Sequence, residues 1–498
     1  MLTATKDLML PATVTGSWPR PRWYDQGLWG RPLDTALLDV RFREQFLDAH
    51  TTVIADQERA GLDILTNGDY HLDEDFAGRS WHHYPLQRWK GLEHEELQYD
   101  DSRDGLLDFL PGTLMNEIET TWRWPRVVGK VEHDPKNPLE YAKLWRIAQA
   151  RAASGKPVKF GTCSSQVLAI FLDSHTPEYD VRDKQQLIWD MATAMNTELR
   201  QLASAGAKVI QIEEPTIHFT ACFHPEQKEL LDFMVEAFNH EVEGLDDVEL
   251  WIHTCWGNPN MQKVYSGESY ENSIDIYLNR LKGDVWTIEA TENELAQIDL
   301  FKPYANNLSK KLAVGVVSHR QLQADLAPVV AGRARRALEV IPADKLILSS
   351  DCGFGRQGFN RTVAFFKEHY APYLTGKGAV KLQDRIYLYN LTDQLEQDDT
   401  VSANVPLLPS YSRSLLYLVS RAYEQLPNTP LVGMQAYARE MPSHSKLEVI
   451  YSTGSGGKTA SRSHGGFDND AATLETIMSK VLGEPVPHPP KADELIGY

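Results

Sequence analysis

The run VELWIHTCWG, residues 248–257, opens as an apolar strand and closes on His253 and Cys255. Residues two apart on a strand point to the same face, so the imidazole and the thiol share one side of the chain where the strand stops. Two other apolar runs end in the same way: DVWTIEA (284–290) reaches Glu289, and KLILSSDC (345–352) reaches Cys352. Two thiols, an imidazole and a carboxylate make a donor set suited to tetrahedral zinc. Side chains gathered at successive strand ends are what the C-terminal face of a parallel barrel presents. A single cysteine or histidine is most often a small core residue or a hydrogen-bonded core imidazole. Four of them at successive strand ends outweigh that reading.

Runs of the same kind recur on both sides: ATVTGS (12–17), LDILTNGD (62–69), RVVGKV (126–131), PVKFGT (157–162), AKVIQIEE (207–214) and KLAVGVVS (311–318). They are mostly continuous rather than alternating, as expected for parallel strands covered on both faces. Helical stretches separate them. Asn137-Pro138-Leu139-Glu140 reads as a helix start, with a capping residue, a first-turn proline and a glutamate three positions on, and Gly155 can end it. Residues 183–205 form another helix, stopped by Gly206. Such alternation is α/β, and nine strands fit a (β/α)8 TIM barrel with one accessory strand. The barrel is expected over residues 1–378. A C-terminal extension follows over 379–498, with a helix at 411–425, the strand-like KLEVIYST, a Gly/Ser-rich loop and a last helix at 469–482; one arrangement packs it on the barrel mouth. The segment 80–125, rich in tryptophan, histidine and charge, is a long excursion, as suited to covering a site as to solvation.

Composition narrows the function classes. The 498 residues are 42% hydrophobic and 24% charged, which is normal for a globular chain with a sizeable core. A formal charge of −19 without a basic run argues against nucleic-acid binding. No stretch approaches the roughly 18 apolar residues of a membrane span, and the N-terminus lacks the core of a secretory signal. Four cysteines are too few for a disulfide scaffold, which points to a reducing compartment, the cytoplasm.

The succession HTC (253–255), TIE (287–289) and SDCGFG (350–355) resembles the zinc-bearing barrel of the cobalamin-independent methionine synthase family. The resemblance extends to GSWPRP (16–21), AGLDILTNGD (60–69), PRVVGKV (125–131) and VIQIEEP (209–215), in order, over residues 10–375. CWG and SDCGFG are closer to the compact branch, which lacks the family's N-terminal half and includes epoxyalkane–coenzyme M transferase. The resemblance implies a zinc cofactor held by His253, Cys255, Glu289 and Cys352. It implies substrate contacts from Gly16, Ser17, Asp69 and Glu213, and a proton donor at His319. The partners implied are a small-molecule thiol and an alkyl donor, and the implied activity is methyl transfer to a zinc-activated thiol such as homocysteine. Glu289, the hard oxygen ligand, is the one an arriving thiol would displace. Asp69 stands where the family has glutamate, and Glu213-Glu214-Pro215 where it has Asp-Glu-Pro. Ser164-Ser165-Gln166-Val167 replaces a Gly-Pro-Val-Thr loop on the folate side, with Phe171 in place of a tryptophan.

The compact branch also implies an alternative, the opening of an epoxide by a sulfonate-bearing thiol. Such a substrate needs a cationic clamp, for which Arg20 and Arg22 are the candidates. Two further readings keep only part of this: a metal-free barrel lyase or decarboxylase, and a binding protein in which zinc is structural. The loop STGSGGKTASRSHGG (452–466) comes within one residue of a phosphate loop but lacks the helix that should follow. It reads as a surface loop first and as an anion-binding closure through Lys458 and Arg462 second.

Overall fold

A computed structural model describes residues 2–72, 80–93, 125–170, 184–258, 269–320, 324–355, 386–398 and 430–491, apart from isolated positions, with a few residues between these ranges. The described residues fall into two compact units, one within 2–355 and one within 386–491. The boundary expected at 378/379 lies outside them. So does most of the 80–125 excursion.

Seven parallel strands curl side by side in the first unit: β1 (Leu65–Thr66), β4 (Val158–Cys163), β5 (Val209–Glu213), β6 (Glu249–Thr254), β7 (Val285–Ile288), β8 (Lys311–Val317) and β9 (Leu346–Ser350). The segment at Ala12 spans the gap between β9 and β1. Ala12 bridges Leu348 in parallel, Thr13 N–H donates to Leu348 O (2.9 Å) and Leu348 N–H donates to Pro11 O (2.9 Å). On its other side, Asp63 and Ile64 N–H both donate to Ala12 O (2.8 and 3.3 Å). Eight positions thus close a ring, as the strand pattern implies, and the fold is the TIM barrel expected. The ninth run is the accessory strand: β3 (Arg126–Glu132) pairs antiparallel with β2 (Lys90–Glu93).

Most connecting helices follow local signals. Val40–Ala60 starts on Asp39, whose carboxylate accepts from Arg41 and Phe42 N–H, and Gln185–Ser204 ends before Gly206 at φ 105°. The helix expected to start at Asn137 begins instead at Tyr141. Glu140, expected inside it, is left-handed (φ 58°), and its carboxylate accepts from Leu33 N–H (2.7 Å) and pairs with Lys143 (2.8 Å). A tertiary demand, an orphan N–H at the start of another helix, has taken the side chain meant for the local cap.

The main apolar core lies between the sheet and its helices. A smaller cluster fills the barrel: Ile64, Val209, Trp251, Val285, Ala313 and Ile347, packed on by Leu2 and Ala4. The buried carboxylate of Glu249, at the N-terminal end of β6, fixes that floor. Its Oε2 accepts from the N–H groups of Thr3, Ala4 and Thr5 (2.8–2.9 Å), and its Oε1 from Thr5 Oγ1 and Trp251 Nε1. Above Trp251 lies Lys159, 4.4 Å from the ring, donating to Val14 O and Gln211 Oε1. Burial brings Lys159 down to about 7.

In the second unit, β10 (Ile386–Leu391) and β11 (Leu447–Ser452) pair in parallel, and a helix runs over Ala471–Leu482. Of the helix expected at 411–425, Leu415–Leu418 is described and is helical. Among the described residues, no α-helix follows the glycine-rich loop before Ala471, and Lys458 pairs with Glu448. A phosphate loop needs a helix N-terminus at that point, so this geometry does not supply one. None of the described helices is long and apolar enough to cross a membrane.

Replacing Glu249 by alanine leaves two buried N–H groups, the Thr5 amide and the Trp251 indole, without their acceptor. The expected loss is about 3 kcal/mol in a denaturant titration, because each orphaned group costs about 1–3 kcal/mol. An unchanged midpoint would show that the N-terminal plug does not stabilise the barrel.

Candidate active site

β6 delivers His253 on its strand and Cys255 just past its end, and Cys352 follows β9 by two residues. The potential ligand atoms of His253, Cys255 and Cys352 lie within 4.8 Å of one another, all buried. The two sulfurs are 3.8 Å apart. Two thiolates about 2.3 Å from one tetrahedral zinc would be separated by about 3.8 Å. Neither ring nitrogen of His253 has a hydrogen-bond partner, although the residue is buried; Glu213 Oε2 stands 3.5 Å from Nε2. Buried polar atoms without partners are costly unless something else fills them, so this donor set fits zinc.

The charges are arranged to keep one sulfur ionised. Cys352 is held well below the usual thiol range by the hydrogen bond with Cys255 and by the imidazolium of His253. Cys255 keeps its proton and is pushed up by Cys352 and by burial. Burial disfavours charge on His253, yet Glu213 and the Cys352 sulfur beside it push it up to about 9.

Gly16, Ser17, Asp69 and Glu213 join Cys255 and Cys352 in lining one cavity. Parallel register puts Glu213 directly beside His253, and Gln211 Nε2 donates to its Oε1 at 2.7 Å. Burial raises the Glu213 carboxyl, against the pull of His253. Asp69 occupies the left-handed region (φ 56°), its N–H donating to Asn67 Oδ1 at 3.0 Å. A Cβ at Gly16 would come within 3.1 Å of Asp69 Oδ2, so glycine lets the carboxylate approach. Ser17 is locked to the SDCGFG loop: its O accepts from Phe354 N–H (2.8 Å) and its Oγ from Gly355 N–H (3.1 Å). A side chain at Gly353 would overlap that hydroxyl.

Sequence reasoning did not name the opposite wall. His71, Leu72, Tyr141 and Thr162 also line the cavity, with His71 stacked on Phe160 (5.3 Å between centroids). Burial lowers His71 to about 3, so it is neutral. Its place just past the TNGD run was the available signal. Arg20 does not line the cavity. Its Nε and Nη1 donate to Tyr24 O and Leu72 O, Nη2 donates to Gln26 O, and the guanidinium lies over the Tyr24 ring. Arg22 is outside the described residues. Among the described residues, no lysine or arginine lines the cavity.

Glu289 and His319 stand beside the trio rather than within it, forming a second buried group with Asp351. Arg320 grips Glu289 through two bonds, Nε to Oε1 (2.8 Å) and Nη2 to Oε2 (3.0 Å), and Trp256 N–H donates to Oε2 (2.9 Å). Burial alone would raise the Glu289 carboxyl; the guanidinium overrides this and holds it below the usual range. His319 has no hydrogen-bond partner on either nitrogen, and burial with Arg320 beside it lowers it to about 4. Asp351 accepts from Ala290 and Thr291 N–H (2.7 and 3.0 Å), tying the end of β9 to that of β7.

A cavity at the C-terminal ends of parallel strands, lined by thiols and carboxylates, is the architecture of a TIM-barrel enzyme. Residues 131–369 match the family profile described as cobalamin-independent synthase, catalytic domain. Among curated relatives, the chain is 27% identical to the 2-hydroxypropyl-CoM lyase of Xanthobacter autotrophicus over 382 residues, covering 71% of this chain and 91% of that one. It is also 27% identical to the methionine synthase of Saccharolobus solfataricus over 359 residues, covering 72% and 92%. The fold is shared with a B12-independent methionine synthase from Shewanella sp. W3-18-1, solved in complex with selenomethionine (TM-score 0.54, 20% identity, covering 70% of this chain and 93% of that one).

The thiol asymmetry is directly testable. In metal-free protein at neutral pH, iodoacetamide should modify Cys352 before Cys255, because the thiolate is the nucleophile. His253→Ala removes the cation that stabilises it and should slow alkylation about tenfold. Peptide mapping that finds Cys255 modified first would refute the charge arrangement.

Proposed function

We propose that the protein is a zinc-dependent S-alkyltransferase that methylates a thiol carrying an ammonium group, such as homocysteine. The observation that carries the choice of thiol is the lining of the cavity. Two carboxylates, Asp69 and Glu213, converge on the space beside the cysteines, and no described cation does. An amino-acid thiol presents a cation to such a wall, whereas a sulfonate finds no described cation there.

His253, Cys255 and Cys352 would hold the metal, with Glu289 as the exchangeable fourth donor. Zinc bound there supplies Lewis acidity that keeps a substrate thiol deprotonated at neutral pH. The protein's own groups do the rest. Asp69 and Glu213 orient the substrate ammonium, and Ser17 with the backbone of its turn receives the carboxylate. His319 would hand a proton to a leaving group only as an imidazolium, a form that its burial and Arg320 disfavour. The 71–72 and 141–162 wall excludes water from the thiol. Ser164, Ser165 and Gln166 are buried and absent from the cavity lining, so they offer no polar contact to an alkyl donor there. Phe171 lies outside the described residues.

X-ray absorption at the zinc edge tests this reading. Titration with homocysteine should replace an oxygen or nitrogen neighbour by sulfur, and 2-mercaptoethanesulfonate should do so only at far higher concentration. The reverse order of affinity would favour epoxide opening by a sulfonate thiol instead. Cys352→Ser and His253→Ala should each lower zinc content and abolish transfer; zinc-loaded, active variants would exclude the ligand set. Glu213→Gln should weaken homocysteine binding about tenfold or more, since it removes one buried charge partner of the ammonium. The binding of a simple alkyl thiol should not change.

A further inference from the structure

Lys159 lies inside the barrel, 1% exposed, and does not line the cavity. Its Nζ donates to Val14 O (3.0 Å) and to Gln211 Oε1 (2.6 Å) and sits 4.4 Å from the centre of the Trp251 ring. Burial brings Lys159 down to about 7, yet even the neutral amine keeps two N–H groups, enough for both oxygens. This fixes which way the Gln211 amide points. Its oxygen turns to Lys159, and its nitrogen donates to Thr15 O (2.8 Å) and Glu213 Oε1 (2.7 Å). The opposite orientation would set oxygen against oxygen at both of those contacts. Gln211 is itself fully buried, and Glu213, at the far end of the chain, lines the cavity with its side chain 24% exposed.

We propose that Lys159 is a positioning residue for recognition of the substrate ammonium: acting through Gln211, it holds the Glu213 carboxylate in the direction that meets that group. The inference rests on the reading of an amino-acid thiol above. Without Lys159 the Gln211 oxygen would be a buried acceptor with no donor, and nothing would keep the amide nitrogen on Glu213. A carboxylate held by a fixed N–H group meets its partner without first being ordered, which is what a supporting residue behind a binding group contributes. A positive charge in the barrel also opposes an arriving ammonium. It does so across an intervening amide, whereas the Gln211 bond acts at contact with the carboxylate, so the bond decides the sign.

Calorimetric titration of the zinc-loaded protein with homocysteine and with 1-propanethiol, without turnover, provides the test. Four proteins form a double-mutant cycle: the wild type, Lys159→Met, Gln211→Met, and both together. Methionine keeps an apolar stem over Trp251 and carries no N–H group. Lys159→Met should weaken homocysteine binding about tenfold, the scale of one hydrogen bond to a charged group. Gln211→Met should weaken it as much, and the double variant no further, because the two residues act as one chain. In a Glu213→Gln background, Lys159→Met should leave homocysteine affinity unchanged. 1-Propanethiol has no ammonium and should bind all four proteins equally, at equal zinc content.

Homocysteine bound by Lys159→Met as tightly as by the wild type, or more tightly, would overturn the proposal; in the second case the site feels the lysine charge and not its hold on Gln211. Equal weakening of both thiols would overturn it too, as the mark of a purely structural role, and so would additive losses in the double variant. The failure of the amino-acid thiol reading itself looks different: the wild type would not prefer homocysteine to 1-propanethiol, and Glu213→Gln would change neither affinity. If Lys159→Met does not fold, Gln211→Met decides, with unchanged homocysteine affinity as the refuting outcome.

Discussion

The closing of the parallel sheet at Ala12 is the constraint on which everything else depends. Two hydrogen bonds with Leu348, from Thr13 N–H to its O and from its N–H to Pro11 O, join one edge of the segment to β9, and Ala12 O receives Asp63 and Ile64 N–H on the other. An open sheet would leave its edges free and its strand ends spread along a line. A closed one brings the end of β6 face to face with the end of β9, so that Cys255 and Cys352 meet although 97 residues separate them. The plug held by Glu249 serves the same closure from below, filling the interior that a ring of this size would otherwise leave void.

Within that ring, charge is handed upward through polar residues of the interior. Lys159 fixes the amide of Gln211 by taking its oxygen, which leaves the Gln211 N–H groups for Glu213 and Thr15 O. Glu213 in turn faces His253, and His253 faces the Cys352 sulfur. Each group is oriented by the one beneath it, so the cavity floor is set before any substrate arrives. The same lining limits what can enter. With two carboxylates and no described cation, it suits a cationic head group beside a thiol.

Much of this was legible because local rules governed it. The nine strand-like runs correspond to eight barrel positions and the accessory strand β3, and Gly206 stops its helix as its type predicts. His253 and Cys255 share a face for the simple reason that strands repeat every two residues. The misreadings have one cause. Glu140 has the spacing of a cap but serves Leu33; Arg20 has the charge of an anion clamp but is consumed by backbone carbonyls and the Tyr24 ring. In each case a side chain long enough to reach a distant partner did so, and spacing along the chain carries no record of that.

The amino-acid sequence by itself determined the strand and helix order, the donor types at the strand ends and the match of residues 131–369 to a family profile. These follow from periodicity, turn chemistry and residue type, which act over a few residues. Only the tertiary structure decided which donors meet. It gathered His253, Cys255 and Cys352 into one group, gave Glu289 to Arg320 and set Asp69 and Glu213 on the same cavity. The reason is geometric: the closing of the ring and the register of its strands set distances between residues tens to hundreds of positions apart, and only closure turns a list of strand ends into a site.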